Sequence, residues 1–137
     1  MAKQNRVFDS WALIAFLEDE PAAVEIESLI ADAHESDSAL WVTSVNLGEV
    51  WYNAARAHSE SEADRAVAEI LRLGFRVVDA DWELARQAAQ FKAKGKLAYA
   101  DCFAAALAQK HHADLITGDP EFKPLQNQIK IHWLPQK

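Results

Sequence analysis

Short apolar runs alternate with amphipathic segments along the whole of this chain. Residues 6–8, 39–43, 75–78, 114–117 and 129–133 are brief runs rich in Val, Ile, Phe and Trp, and they read as strands. Between them lie stretches with apolar residues at helical spacing. Trp11, Ile14 and Leu17 share one face of residues 10–17, and Val24, Ile26, Leu29 and Ile30 mark a second helix running to about residue 33. Strands that alternate with helices need a parallel sheet covered on both sides. The chain is therefore expected to form a three-layer α/β/α domain around a central, mainly parallel sheet. No repeat, low-complexity tract or Gly/Ser linker interrupts the pattern, so residues 1–137 are read as one domain.

Local punctuation sharpens this expectation. Pro21 suits the first turn of the second helix. Ser44 is a candidate N-cap for the helix that carries Glu49. Ser59 and Glu62 have capping-box spacing ahead of a helix over residues 63–73, which Gly74 ends. Asp81 is expected to cap a helix reaching Lys94, where Gly95 stops it. An alanine-rich helix is expected over residues 98–111, and Asp119-Pro120 opens a turn or short helix.

Four acidic residues sit at the junctions of this pattern: Asp9, Glu49, Asp101 and Asp119. Each lies beside an apolar run that should be buried. An unpaired carboxylate near a core is costly to keep charged. Several that converge repel one another unless a cation lies between them. In an open parallel sheet, ligands collect outside the carboxyl ends of the strands. Asp9 follows one such end and Asp119 another, while Glu49 and Asp101 fall in early turns of helices. Four carboxylates at one sheet edge form a hard-oxygen site for Mg²⁺ or Mn²⁺, suited to activating water and neutralising phosphate charge.

The formal net charge is −7, which argues against a protein that holds nucleic acid by bulk positive charge. Setting the four candidate ligands aside leaves a surface that is only mildly acidic. A single cysteine, Cys102, allows no internal disulfide, and the start of the chain has no long apolar stretch of a secretion signal. A cytoplasmic setting without a membrane span is expected.

Taken together, Val-Phe-Asp-Ser near the start, Glu49 on a mid-chain helix, Ala-Asp-Cys-Phe-Ala-Ala-Ala-Leu-Ala, and Leu-Ile-Thr-Gly-Asp-Pro-Glu-Phe resemble the PIN-domain nucleases. The closest resemblance is to the VapC-type toxins of toxin–antitoxin pairs. It implies a Mg²⁺- or Mn²⁺-dependent endoribonuclease, with Asp9, Glu49, Asp101 and Asp119 as metal-binding catalytic residues. It implies Ser10 and Thr117 as polar supports of those acids, with Asn46, one turn before Glu49, on the same rim. It further implies an RNA substrate, a cognate antitoxin and a homodimer. Trp11 departs from the family pattern, which often has a smaller residue there.

Other readings of the same residues are more ordinary. Asp9 and Asp119 suit helix N-caps, a role compatible with ligation. Glu49 could be a solvated helix residue. Cys102 lacks a spaced His partner and reads as a small core residue. His34, His58, His111, His112 and His132 lack zinc-site spacing. Lys92, Lys94 and Lys96 suit a solvated helix end or an RNA backbone. Trp41 and Trp133 read as core. Trp11 and Trp51, beside Asp9 and Glu49, read as core or as the lining of a groove where a partner docks. A rival function is a catalytically inactive PIN-like module that binds RNA or protein. A phosphatase or receiver-type phosphoryl-transfer domain fits less well, because position 11 is Trp rather than the second Asp a phosphatase needs.

Overall fold

The structure is a computed structural model and describes residues 3–136. Strand β1 (Arg6–Phe8) leads into helices α1 (Ser10–Leu17) and α2 (Ala23–Glu35). Strand β2 (Leu40–Thr43) is followed by α3 (Ser44–Ala57) and α4 (Glu60–Arg72). Strand β3 (Arg76–Val78) is followed by α5 (Trp82–Lys94) and α6 (Tyr99–His111). Strand β4 (Asp114–Thr117), a 3₁₀ helix (Pro120–Leu125) and β5 (Ile131–Trp133) complete the order.

The strands form one sheet in the order β3-β2-β1-β4-β5, and every pairing is parallel. Alternation along the central strands divides two apolar cores. Val7 and Leu115 are in register and face α5 and α6. Their neighbours Phe8 and Ile116 are also in register and face the opposite side, with Ile26 and Leu29 of α2, Val50 of α3 and Ile70 of α4. Burying a side chain of this size contributes roughly 1.5–3 kcal/mol. The three-layer architecture follows directly from this two-sided burial.

The caps carry much of the local logic. Ser59 accepts the Glu62 N–H at 3.1 Å, so α4 begins at Glu60, a turn ahead of the apolar face that marked it in sequence. Asp81 accepts the Leu84 N–H at 2.9 Å and starts α5. Gly74 follows α4 at φ +97°, a conformation that costs a glycine little. Two expectations are corrected. Thr43 rather than Ser44 caps α3, accepting the Asn46 N–H at 3.0 Å, and Ser44 Oγ instead accepts the Ala80 N–H. Pro21 stands just outside α2, which begins at Ala23. The outer strands are also shorter than their apolar runs. Phe75 precedes β3 and packs edge-on against Phe8, and Ile129 is buried ahead of β5 without joining it.

From β1 the chain moves outward to β2 and β3, then crosses back to β4 and β5 on the other side. The carboxyl ends of β1 and β4 therefore flank the point where the strand order reverses, the place where open α/β sheets bind ligands. Helix α6 begins nearby, with Asp101 in its first turn. Residues 102–108 of this helix are buried without interruption, and its alanines allow close packing on the sheet and α5. Cys102 is among them and fully buried, and burial pushes its thiol pKa up. His111 stacks on Trp41 at 4.4 Å, while His112 adopts the left-handed conformation that ends α6.

Candidate metal centre

Asp9 is the first residue after β1 and has no exposed surface. Its Oδ1 accepts the Ala12 N–H at 2.9 Å and caps α1. Its Oδ2 accepts the Thr117 hydroxyl at 2.5 Å, from the last residue of β4. The same Thr117 oxygen accepts the Asp119 N–H at 3.0 Å. One buried hydroxyl thus ties the ends of two adjacent strands and positions two of the expected acids. Asp119 in turn accepts the Glu121 N–H at 3.0 Å and caps the 3₁₀ helix. Capping is real at both aspartates, and it fixes their side chains at the sheet edge rather than competing with a place in the site.

Glu49 is held by two donors on the same oxygen. Ser10 Oγ donates to Glu49 Oε1 at 2.9 Å, and Asn46 Nδ2 donates to it at 3.1 Å. Asn46 is fully buried and also donates to the carbonyl of Ala100 at 3.1 Å, while its Oδ1 accepts the Thr43 hydroxyl at 2.6 Å. This one amide links β2, α3 and the residue before Asp101. Asn46 is therefore better tied to the cluster than its distance in sequence from Asp101 suggested.

Asp101, Asp119 and Glu121 each place a carboxylate oxygen within 4.8 Å of the others. Glu121 was not among the residues the sequence singled out. Its signal was available as a second carboxylate two positions after Asp119. Asp-Pro-Glu read as turn chemistry, and only the tight 3₁₀ turn swings Glu121 back toward Asp101.

The electrostatics join all five acids. Burial raises the Asp9 pKa to about 8, with Asp101 and Asp119 adding repulsion and the Thr117 and Ala12 hydrogen bonds opposing the rise. Burial also raises Asp101, to about 7, helped by the negative charges of Glu49, Asp119 and Glu121. Among the described residues, no Lys, Arg or His pairs with any of the five. A set of oxygen-only donors that holds Asp9 and Asp101 at raised pKa values, with no cationic partner among the described residues, fits a hard divalent cation. If Ser10 and Thr117 hold carboxylates in place for such an ion, Ser10→Ala and Thr117→Val should each weaken Mn²⁺ binding by about 10–100-fold. Calorimetric titrations that match the wild type would confine both hydroxyls to local structure.

The two tryptophans near the site have distinct settings. The Trp11 indole lies directly over Gly118, where any Cβ would overlap the ring. The glycine of Thr-Gly-Asp and the bulky residue at position 11 are therefore matched to each other. Trp51 Nε1 donates to Asp64 at 3.0 Å, tying α3 to α4. Trp41 and Trp133 are partly buried and pack against the α5–α6 core.

The PIN domain family profile matches residues 6–127. No curated protein sequence matches the chain significantly. Among solved structures, VapBC2 from Rickettsia felis bound to a promoter DNA fragment is similar at TM-score 0.74 and 13% identity, covering 96% of this chain and 100% of that one. Mycobacterium tuberculosis VapC20, described as a sarcin–ricin loop cleaving toxin, is similar at TM-score 0.73 and 16% identity, covering 96% and 100%. VapBC-1 from nontypeable Haemophilus influenzae is similar at TM-score 0.70 and 15% identity, covering 95% and 98%. At these identities the structures speak for the fold. The family match spans most of the chain, and with the acidic cluster at the switch point of the sheet it places this protein in the PIN domain family.

Proposed function

We propose that residues 1–137 form one Mg²⁺- or Mn²⁺-dependent endoribonuclease domain, which hydrolyses RNA phosphodiester bonds and acts as the toxin of a toxin–antitoxin pair. The observation that carries this reading is the convergence of Asp101, Asp119 and Glu121 beside buried Asp9, with no Lys, Arg or His paired to them among the described residues. Asp9, Glu49, Asp101 and Asp119 would hold the ion, and Glu121, grouped with Asp101 and Asp119, would join them. A bound divalent ion supplies Lewis acidity toward a phosphate oxygen and lowers the pKa of a coordinated water. The protein's own part is positional. Thr117 orients Asp9, Ser10 and Asn46 orient Glu49, and the Asp119 cap fixes the 3₁₀ turn that presents Glu121. RNA enters the proposal through the family resemblance of the sequence, and the likeness to VapC20, described as a sarcin–ricin loop cleaving toxin, supports it. Cleavage of RNA by the purified protein with Mg²⁺ or Mn²⁺, and its loss in EDTA, is the direct test. Metal-independent RNA binding without cleavage would favour the inactive-module alternative.

A nuclease of this kind requires an inhibitor in its own cell, and a toxin–antitoxin complex from Klebsiella pneumoniae is among the similar structures. We propose that an antitoxin lays an apolar segment by Trp11 and Trp51 and sends an arginine toward Asp9, Glu49, Asp101 and Asp119. Arg suits bidentate pairing with carboxylates and would displace the metal. A cleft of about 270 Å³ between α1, α3 and α4 supports such a route. Ile14, Leu17, Val50 and Ala54 line it. Trp51, at the α3–α4 seam, should act as an anchor, so Trp51→Ala is expected to weaken the complex by more than about 2 kcal/mol. An affinity indifferent to both Trp11 and Trp51, measured by calorimetry, would move the antitoxin elsewhere. A homodimer completes the proposal, and Trp82, 75% exposed at the start of α5, supplies a large apolar contact for it. Among the described residues no helix is long and apolar enough to cross a membrane.

A further inference from the structure

A second cleft, about 450 Å³, lies between the end of α5, the loop leading to α6 and the 3₁₀ helix. Glu121 forms part of its wall, so the cleft opens beside the group made by Asp101, Asp119 and Glu121. Its floor is apolar. Phe91 and Leu97 are each only 9% exposed, and Leu125 is half-buried. Lys94 and Lys96 stand on the rim, both exposed. Neither makes an ion pair or hydrogen bond among the described residues. Lys92 differs, because its Nζ donates to the Leu97 carbonyl at 3.0 Å and so holds the loop.

This arrangement is unusual for a chain of net charge −7. Two unpaired cations stand next to a dense acidic cluster without engaging it, across an apolar hollow of ligand size. The complementary ligand carries negative charge on its outside and a flat apolar body within. A nucleotide of a single strand has both. We propose that this cleft receives the base next to the scissile phosphate, while Lys94 and Lys96 hold the adjoining backbone phosphates. The inference rests on the nuclease reading and deepens it, because it assigns a base subsite and two phosphate contacts beside the acidic cluster. A base stacked within a duplex cannot enter the hollow without being flipped out.

The test uses the full chain, a short labelled single-stranded RNA and the same sequence as a duplex. The wild type should bind the single strand at least about tenfold more tightly than the duplex. Two lost phosphate contacts in Lys94→Ala/Lys96→Ala should flatten the plot of log affinity against log salt by about 1.4. Gln128→Trp, which fills the cleft from an exposed rim position, should change the nucleotide preferred beside the cut while Mn²⁺ binding stays as in the wild type. If the wild type cleaves RNA but the lysine variant keeps the same salt slope and Gln128→Trp the same cut map, the cleft proposal fails alone. If the wild type cleaves nothing yet binds single strands with a slope that the lysine variant flattens, the nuclease reading fails, and of the cleft proposal only the phosphate contacts of Lys94 and Lys96 stand. Equal affinity for single strand and duplex also overturns it.

Discussion

Asp101→Asn is expected to remove RNA cleavage, by about a thousandfold or more, while leaving the fold in place. Asp101 sits in the first turn of α6, within 4.8 Å of Asp119 and Glu121, and its carboxyl also feels Glu49. An amide of the same size removes one anionic ligand from the site. Losing the several kcal/mol of charge stabilisation that a metal gives a phosphoryl transition state corresponds to a loss of that order. Among the described residues no hydrogen bond depends on the Asp101 side chain, so circular dichroism of the variant should match the wild type. In a magnesium titration the wild type should rise from no activity in EDTA to a plateau, and the variant should stay flat. Full activity in EDTA, or in Asp101→Asn, would sink the metal-dependent reading. A wild type that binds RNA in EDTA and never cleaves it would identify an inert binding module instead.

Much of this site was legible in the sequence because its residues stand at local boundaries. Asp9 follows an apolar run and precedes a helix, and that single position makes it both cap and cluster member. Asp119 is marked in the same way by Thr-Gly-Asp-Pro. The helices were legible because caps such as Ser59 and Asp81 act within one turn. What the sequence could not display is pairing over distance. The Thr117–Asp9 hydrogen bond joins residues 108 positions apart, and the Asn46–Ala100 bond joins residues 54 apart. The strand order β3-β2-β1-β4-β5 likewise depends on which strands pair with β1, a property of the whole core. Glu121 lay hidden because a carboxylate after Asp-Pro reads as turn chemistry. The mismatch at α3 has a similar cause. Thr43 and Ser44 are both competent caps, and the choice falls to Thr43 because Ser44 Oγ is engaged by the Ala80 N–H across the sheet edge.

In EDTA the protein should lose stability as pH rises from about 4 to about 8, the reverse of ordinary acid denaturation. The sign follows from Asp9. Its carboxyl has an ordinary value of 3.8 and a folded-state value of about 8, because burial and the neighbouring charges of Asp101 and Asp119 disfavour the anion. Between those values the folded state holds the proton more tightly than the unfolded chain. Each step upward in pH therefore favours unfolding, until the folded group also ionises near pH 8. Across the whole window the loss is on the order of 5 kcal/mol from Asp9. Asp101, raised to about 7 and only partly buried, works in the same direction with a smaller effect. Asp9→Asn should remove the largest part of this dependence, since an amide oxygen can still accept the Ala12 N–H and cap α1. At pH 8 in EDTA the variant should melt about 10 °C or more above the wild type, and near pH 4 the two should converge. Magnesium should narrow the gap. The wild type gains about 2.7 kcal/mol when the ion is present at a hundred times its dissociation constant, about half of its deficit at pH 8, and the variant gains much less. Thermal melts at three pH values, with and without Mg²⁺, separate the cases. A wild-type midpoint that stays flat from pH 4 to pH 8 in EDTA would mean that Asp9 is compensated by something other than a cation, and the acidic cluster would lose its strongest physical argument for binding one.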